Sequence, residues 1–342
     1  MNQDAPLAAT AEPLALDQPS TLRRIFIGEA GLRAGWSLLL FILLFAALGL
    51  SVQRIAHRLN PAAIQRPAPG EEIAPGRGIV GEAIPFLIVF FVTWIMSKIE
   101  HRPNSVYGLG GDRKLPHFLA GLGWGIACLS LLILTLWKTG DLVIDHRLLF
   151  GTDVLRYAVI WLFGFFLVGL LEEYLVRGYL QYTLTRGLAG LYQWIFKTRY
   201  STALGFWTSA LVFSVLFGLG HGDNPGESPI GLLAAGLAAK VFCLSLWRTG
   251  SLWWAIGFHA SWDWGQSFLY GVADSGLMMQ HHLLATHPVG KPILSGGTTG
   301  PEGSVFILPV LAIACVIIVF TLPSVSYGES ESAGKQGLFK AA

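Results

Sequence analysis

The sequence predicts an all-α, polytopic membrane protein with about eight transmembrane helices. Three observations carry this reading. Hydrophobic residues make up 53% of the 342-residue chain and charged residues only 13%, whereas a soluble domain carries roughly 25% charged residues. A mean hydropathy of +0.56 is more than one soluble core can hide, because a domain of this size needs a polar surface. The apolar residues also cluster in runs that can cross a hydrocarbon layer about 30 Å thick with about 20 residues each.

Eight runs meet that length, at about 34–52, 79–97, 117–137, 157–180, 203–221, 229–247, 252–270 and 304–322. Backbone groups in lipid must satisfy one another, and the runs are far longer than barrel strands, so each reads as a helix. Trp36, Trp94, Trp137, Trp247 and Trp253 fall near predicted helix ends, where their amphipathic rings suit the interface. Cys128, Cys243 and Cys315 each lie inside an apolar run and read as small buried hydrophobes, with no disulfide framework and no CxxC zinc motif. The first run follows a polar stretch of more than thirty residues, so it reads as a retained helix rather than a signal peptide.

The connections are informative mainly through charge. Residues 53–78 and 271–303 read as long irregular loops, the second holding His281, His282 and His287. With no Cys or carboxylate at ligand spacing, these histidines read as solvated. A formal charge of +2 without a basic, aromatic-interleaved patch argues against a nucleic-acid partner. With the N-terminus inside, inner segments carry thirteen Lys and Arg and outer loops eight. This bias places both termini in the cytoplasm and makes membrane lipid the bulk partner. The expected location is a bacterial inner or plasma membrane.

An ionisable group inside the bilayer is expensive, and therefore marks a functional site by default. Three groups stand out, on the fourth, fifth and seventh runs. In the first, Glu172 and Glu173 follow an unbroken apolar stretch. Glu173 and Arg177 are four apart and share a helix face. Glu172 points about 100° away, which leaves it unpaired and suited to act as a general base. In the second, Phe217 and His221 are one turn apart in FSVLFGLGH. In the third, His259 and Asp263 share a face at i, i+4, a spacing that suits two metal ligands or two polar groups on one substrate carbonyl. A shared pocket among the three runs satisfies these groups most economically.

The ordered set EExxxR (Glu172, Glu173, Arg177), FxxxH (Phe217, His221) and HxxxD (His259, Asp263) resembles the CPBP intramembrane peptidases. That family includes the type II CAAX prenyl endopeptidases and the bacterial Abi bacteriocin-immunity membrane proteins. The resemblance covers roughly residues 155–270. With composition and hydropathy, the chain divides into a disordered tail at 1–30, N-terminal transmembrane helices at 31–150, and a CPBP-like catalytic core at 151–275. A loop with the last transmembrane helix follows at 276–322, then a disordered tail at 323–342.

The resemblance implies an intramembrane endopeptidase acting on a membrane-associated protein or peptide. Glu172 and His221 would activate the attacking water, and His259 and Asp263 would stabilise the oxyanion or complete a metal site. Glu173, Arg177 and Phe217 would be structural support. Two cofactor states stay open: a divalent metal such as zinc held by His221, His259 and Asp263, or a metal-free glutamate peptidase. HExxH is absent, so there is no zincin helix. Many relatives carry Asn where this chain has Asp263. An ionised Asp cannot donate to an oxyanion, so Asp263 is protonated, orients His259 or ligates a metal. Two other functions could use the same buried residues: an ion- or proton-coupled transporter, or a silent membrane scaffold packing through Gly121 and Gly125.

Overall fold

The computed structural model describes residues 25–28, 31–59 and 71–323. Among them the apolar runs form nine helices: α1 (Ala34–Leu59), α2 (Pro75–Ile99), α3 (Lys114–Thr139), α4 (Thr152–Glu173), α5 (Gln181–Phe196), α6 (Ser201–Gly220), α7 (Pro229–Thr249), α8 (Trp253–Trp264) and α9 (Ile307–Thr321). The expected tails lie mostly outside the described residues; within the first, Ile27–Gly28 pairs antiparallel with Gly31–Leu32.

Local chemistry sets the helix ends. Pro75 and Pro229 open α2 and α7, where a missing N–H is harmless. Ser228 Oγ caps α7 by accepting from the Gly231 N–H at 3.1 Å. Gly140 and Gly250 close α3 and α7 at φ 81° and 67°, a left-handed conformation that glycine adopts without strain.

Six helical segments are long and apolar enough to cross a membrane, by length and composition: Ala34–Leu59, Pro75–Ile99, Lys114–Thr139, Thr152–Phe196, Ser201–Asp223 and Pro229–Thr249. The remaining two runs give shorter helices. One is α9, of 15 residues; the other is α8, of 12 residues, extended by a π-helical turn at Gly265–Leu269. Most of α8 is buried. A helix enclosed by protein need not match the bilayer thickness, because its neighbours replace lipid.

The fourth run departs from expectation. Instead of ending at 180, the helix passes through a π-helical turn (Tyr174–Leu180) into α5 and stops at Phe196. A short turn then sends α6 back along it. From that turn, Glu172 lies 24 residues up one limb (to Phe196) and His221 lies 20 up the other (from Ser201). The two residues are thus at similar depth, although read separately the two runs would place them at opposite faces.

Small residues bring α8 to the centre. It packs on α3 and α4. A Cβ on Gly121 would collide with the carbonyl of Trp254, and one on Gly257 with that of Phe118. Backbone-to-backbone approach of this kind is how transmembrane helices associate when burial supplies no driving force. Gly121→Leu is therefore expected to lower the thermal midpoint in detergent and the amount of protein in the membrane, by about 1–3 kcal/mol of overpacking or more. Wild-type behaviour of that variant would refute the close packing.

The 271–303 connection is ordered, contrary to the irregular loop expected. Leu284–Pro288 pairs antiparallel with Leu142–Arg147, and Met278–Met279 pairs parallel with Glu72–Ile73. Gly276, Gly296 and Gly300 have positive φ and touch backbone carbonyls where a Cβ would be. The histidines are not uniformly solvated either. His282 is buried and donates from Nδ1 to the Met279 carbonyl at 2.8 Å, whereas exposed His281 stacks on Tyr157. Sequence periodicity misses this because the pairing partners lie more than a hundred residues away.

Candidate active site

The adjacent carboxylates of α4 straddle one imidazole. Residues one apart on a helix point about 100° apart, so Glu172 and Glu173 reach different atoms of His259 on α8. Glu173 Oε1 lies 3.1 Å from His259 Nδ1 and 3.1 Å from Arg177 Nη1. Glu172 Oε2 lies 3.7 Å from His259 Nε2, and Asp263 Oδ2 lies 3.6 Å from the same nitrogen. A carboxylate only accepts, so Nδ1 carries the proton given to Glu173. Nε2 therefore faces the space between Glu172 and Asp263.

Burial separates the two glutamates. Glu173 is fully buried, and its partner Arg177 nearly so. Glu172 is 30% exposed towards the cavity, and its Oε2 accepts no hydrogen bond. Arg177 lies over the Phe217 ring at 4.2 Å and the Phe242 ring at 5.6 Å, contacts that stabilise a desolvated guanidinium. Phe242 in turn stacks on His259 at 5.3 Å. The π-helical turn carrying Arg177 is itself anchored, because Tyr179 donates to buried Glu100 at 2.9 Å, as does Tyr107 at 3.1 Å. Single π turns of this kind recur at functional sites.

His221, at the end of α6, donates from Nδ1 to the Phe217 carbonyl at 2.8 Å, leaving Nε2 as its free acceptor. It lines a cavity of about 590 Å³ together with Glu172, His259 and Asp263. All four candidate residues thus border one space. Among the described residues no ion pair or hydrogen bond joins His221 to Glu172; the near neighbour of Glu172 is His259. No group of three or more His, Cys, Asp or Glu side chains is arranged to hold a metal ion among the described residues. A metal held by His221, His259 and Asp263 is one of the two cofactor states that the sequence leaves open, and among the described residues these three side chains do not form such a group.

Four cavity residues escaped the sequence reading: Glu82, Phe242, Asp274 and Glu302. Glu82 carried the same signal as Glu172, a carboxylate inside an apolar run. Phe242 looks like any other core aromatic in the sequence, and Asp274 and Glu302 lie in a segment that reads as loop. Glu302 accepts from Trp262 Nε1 at 2.9 Å and from Ser275 Oγ at 2.9 Å, and Asp274 accepts from Ser267 Oγ at 3.2 Å. Burial, then the nearby Glu302 charge, holds the Asp274 carboxyl well above the usual aspartate range.

Residues 154–265, about a third of the chain, match the family model described as "Type II CAAX prenyl endopeptidase Rce1-like". The matched stretch contains Glu172, Glu173, Arg177, Phe217, His221, His259 and Asp263. No curated protein and no solved structure matches the chain. The core of this membrane protein is thus similar to the Rce1-like family over residues 154–265, which agrees with the CPBP resemblance.

Proposed function

We propose that this Rce1-like chain is an intramembrane endopeptidase that cuts a membrane-associated protein or peptide within the cavity between α4, α6 and α8. The observation that carries the reading is the imidazole of His259, tied at Nδ1 to buried Glu173 and facing Glu172 and Asp263 with Nε2. The Glu172 Oε2 atom, 3.7 Å from that nitrogen, accepts no hydrogen bond and is available to take a proton.

Glu172 removes a proton from water as the oxygen attacks the scissile carbonyl carbon. It then passes that proton to the leaving nitrogen. His221, with Nε2 as an acceptor, helps to orient the water. His259 in its doubly protonated form donates from Nε2 to the oxyanion, and Glu173 holds the ring at the required angle. Arg177, clamped by Phe217 and Phe242, fixes Glu173 in turn. No step runs through a metal.

The test is a comparison of the host's membrane proteome with wild-type protein and with Glu172→Ala. Cleavage products that vanish in the variant identify substrates. Identical proteomes, at equal protein abundance, would count against the activity.

Asp263 distinguishes two versions of the oxyanion step. If it donates, Asp263→Asn supplies a donor at every pH, so activity should hold or rise and its loss at high pH should flatten. If Asp263 must accept from His259, Asn is a poor substitute and activity should fall about 10-fold or more. The first outcome is expected. A pH–rate profile with and without chelator decides it, and a large loss partly restored by zinc would reverse the assignment.

A further inference from the structure

Peptide hydrolysis builds negative charge on the scissile carbonyl oxygen, and the donors that meet this charge set much of the rate. His259 is a contested donor for that oxygen. Its Nε2 lies 3.7 Å from Glu172 Oε2 and 3.6 Å from Asp263 Oδ2. Two carboxylates beside one N–H compete with an oxyanion for its proton. A second donor that no carboxylate holds would offset the competition.

Four side chains with N–H groups line the cavity among the described residues: His221, Asn224, His259 and Trp262. Three of them already have acceptors. Trp262 Nε1 donates to Glu302 at 2.9 Å, His221 Nδ1 to the Phe217 carbonyl at 2.8 Å, and His259 Nδ1 to Glu173 at 3.1 Å. The lining hydroxyl of Ser275 is also taken, by Glu302 at 2.9 Å. Among the described residues the Asn224 carboxamide makes no hydrogen bond, so both of its N–H groups are available to a ligand in the cavity.

The place of Asn224 in the chain suits the reaction too. His221–Asp223 form a single 3₁₀ turn, and the Asn224 backbone N–H closes it on the His221 carbonyl at 3.0 Å. Side chains three apart in such a turn lie on the same side, which sets Asn224 beside His221, the water-orienting group. The attacking water and the oxyanion share one carbon, so the donors for the oxyanion belong within about 3 Å of the reacting atoms. A carboxamide is also neutral, and donates at every pH.

We propose that Asn224 is a further catalytic residue, whose carboxamide donates to the oxyanion alongside His259. The assignment rests on the peptidase reading, and the test separates the two. Purified full-length protein in liposomes of zwitterionic lipid is assayed on a substrate whose cleavage product is lost from Glu172→Ala membranes. Asn224→Ala should lower kcat by about 10²–10³-fold, the usual loss for one oxyanion donor. KM should stay within about twofold of wild type, because the oxyanion exists only in the transition state.

Asn224→Asp keeps the shape but accepts where a donor is needed, so it should be at least as slow as Asn224→Ala. A residue that only fills space or closes the turn gives the opposite order, with Asp close to wild type and Ala slower. The thermal midpoints of both variants should match that of wild type. Asn224→Asp faster than Asn224→Ala, a loss carried by KM, or melting that falls in parallel with the rate would each overturn the oxyanion role. Wild-type protein that cuts no membrane substrate would instead sink the peptidase reading, and this assignment with it.

Discussion

Glu172→Gln is expected to lower the rate of substrate cleavage by about 10²–10⁴-fold, the usual loss when a general base is removed. The substitution keeps the shape of the side chain and removes only its capacity to take a proton. Because Glu172 Oε2 accepts no hydrogen bond and its side chain is 30% exposed to the cavity, the fold should lose little. Removing one of several neighbouring negative charges should leave the thermal midpoint unchanged or raised, a common trade between activity and stability at sites of this kind. Cleavage kinetics and melting of the purified protein should therefore move independently. Cleavage at the wild-type rate would show that another group is the base, and a collapse in stability would show that Glu172 is structural.

Glu173→Gln should behave in the opposite way. Glu173 is fully buried and shares one oxygen between Arg177 and His259. Removing its charge leaves Arg177 buried without a counter-ion, and breaking one side of a buried pair typically costs about 3–5 kcal/mol. The variant should be scarce in the membrane and melt early. Replacing both partners, as Glu173→Gln/Arg177→Met, removes the orphaned charge and should recover much of the stability. It should not recover activity, because the charge holding the His259 Nδ1 proton is gone and the ring is free to change tautomer or tilt. Melting and cleavage measured across the full double-mutant cycle separate these effects. If the double variant is no more stable than Glu173→Gln, the ion pair is not what Glu173 supports.

The helical, membrane-spanning character of the chain was legible in the sequence, because apolar run length responds to bilayer thickness and needs no knowledge of neighbours. So were the two i, i+4 relations. Glu173–Arg177 and His259–Asp263 follow from helix periodicity alone, and the pairs lie 3.1 and 3.6 Å apart. The resemblance was legible for the same reason, since EExxxR, FxxxH and HxxxD are short and local and fall within the stretch that matches the Rce1-like model.

Everything that joins one helix to another was decided only by tertiary structure. The continuation of the fourth run to Phe196 sets the depth at which α6 returns His221, and no local pattern distinguishes that continuation from a loop. The backbone contact between α3 and α8 at Gly121 and Gly257 brings His259 to Glu173. Phe242 meets His259 and Arg177 only because the tight turn at Gly250 folds α7 back along α8. Asp274 and Glu302 reach the cavity through a segment ordered by strand pairing across more than a hundred residues. Helix periodicity repeats every 3.6 residues and encodes which side chains share a face. Which faces meet depends on turn position, glycine contacts and long-range pairing, and these act between residues that are distant in sequence.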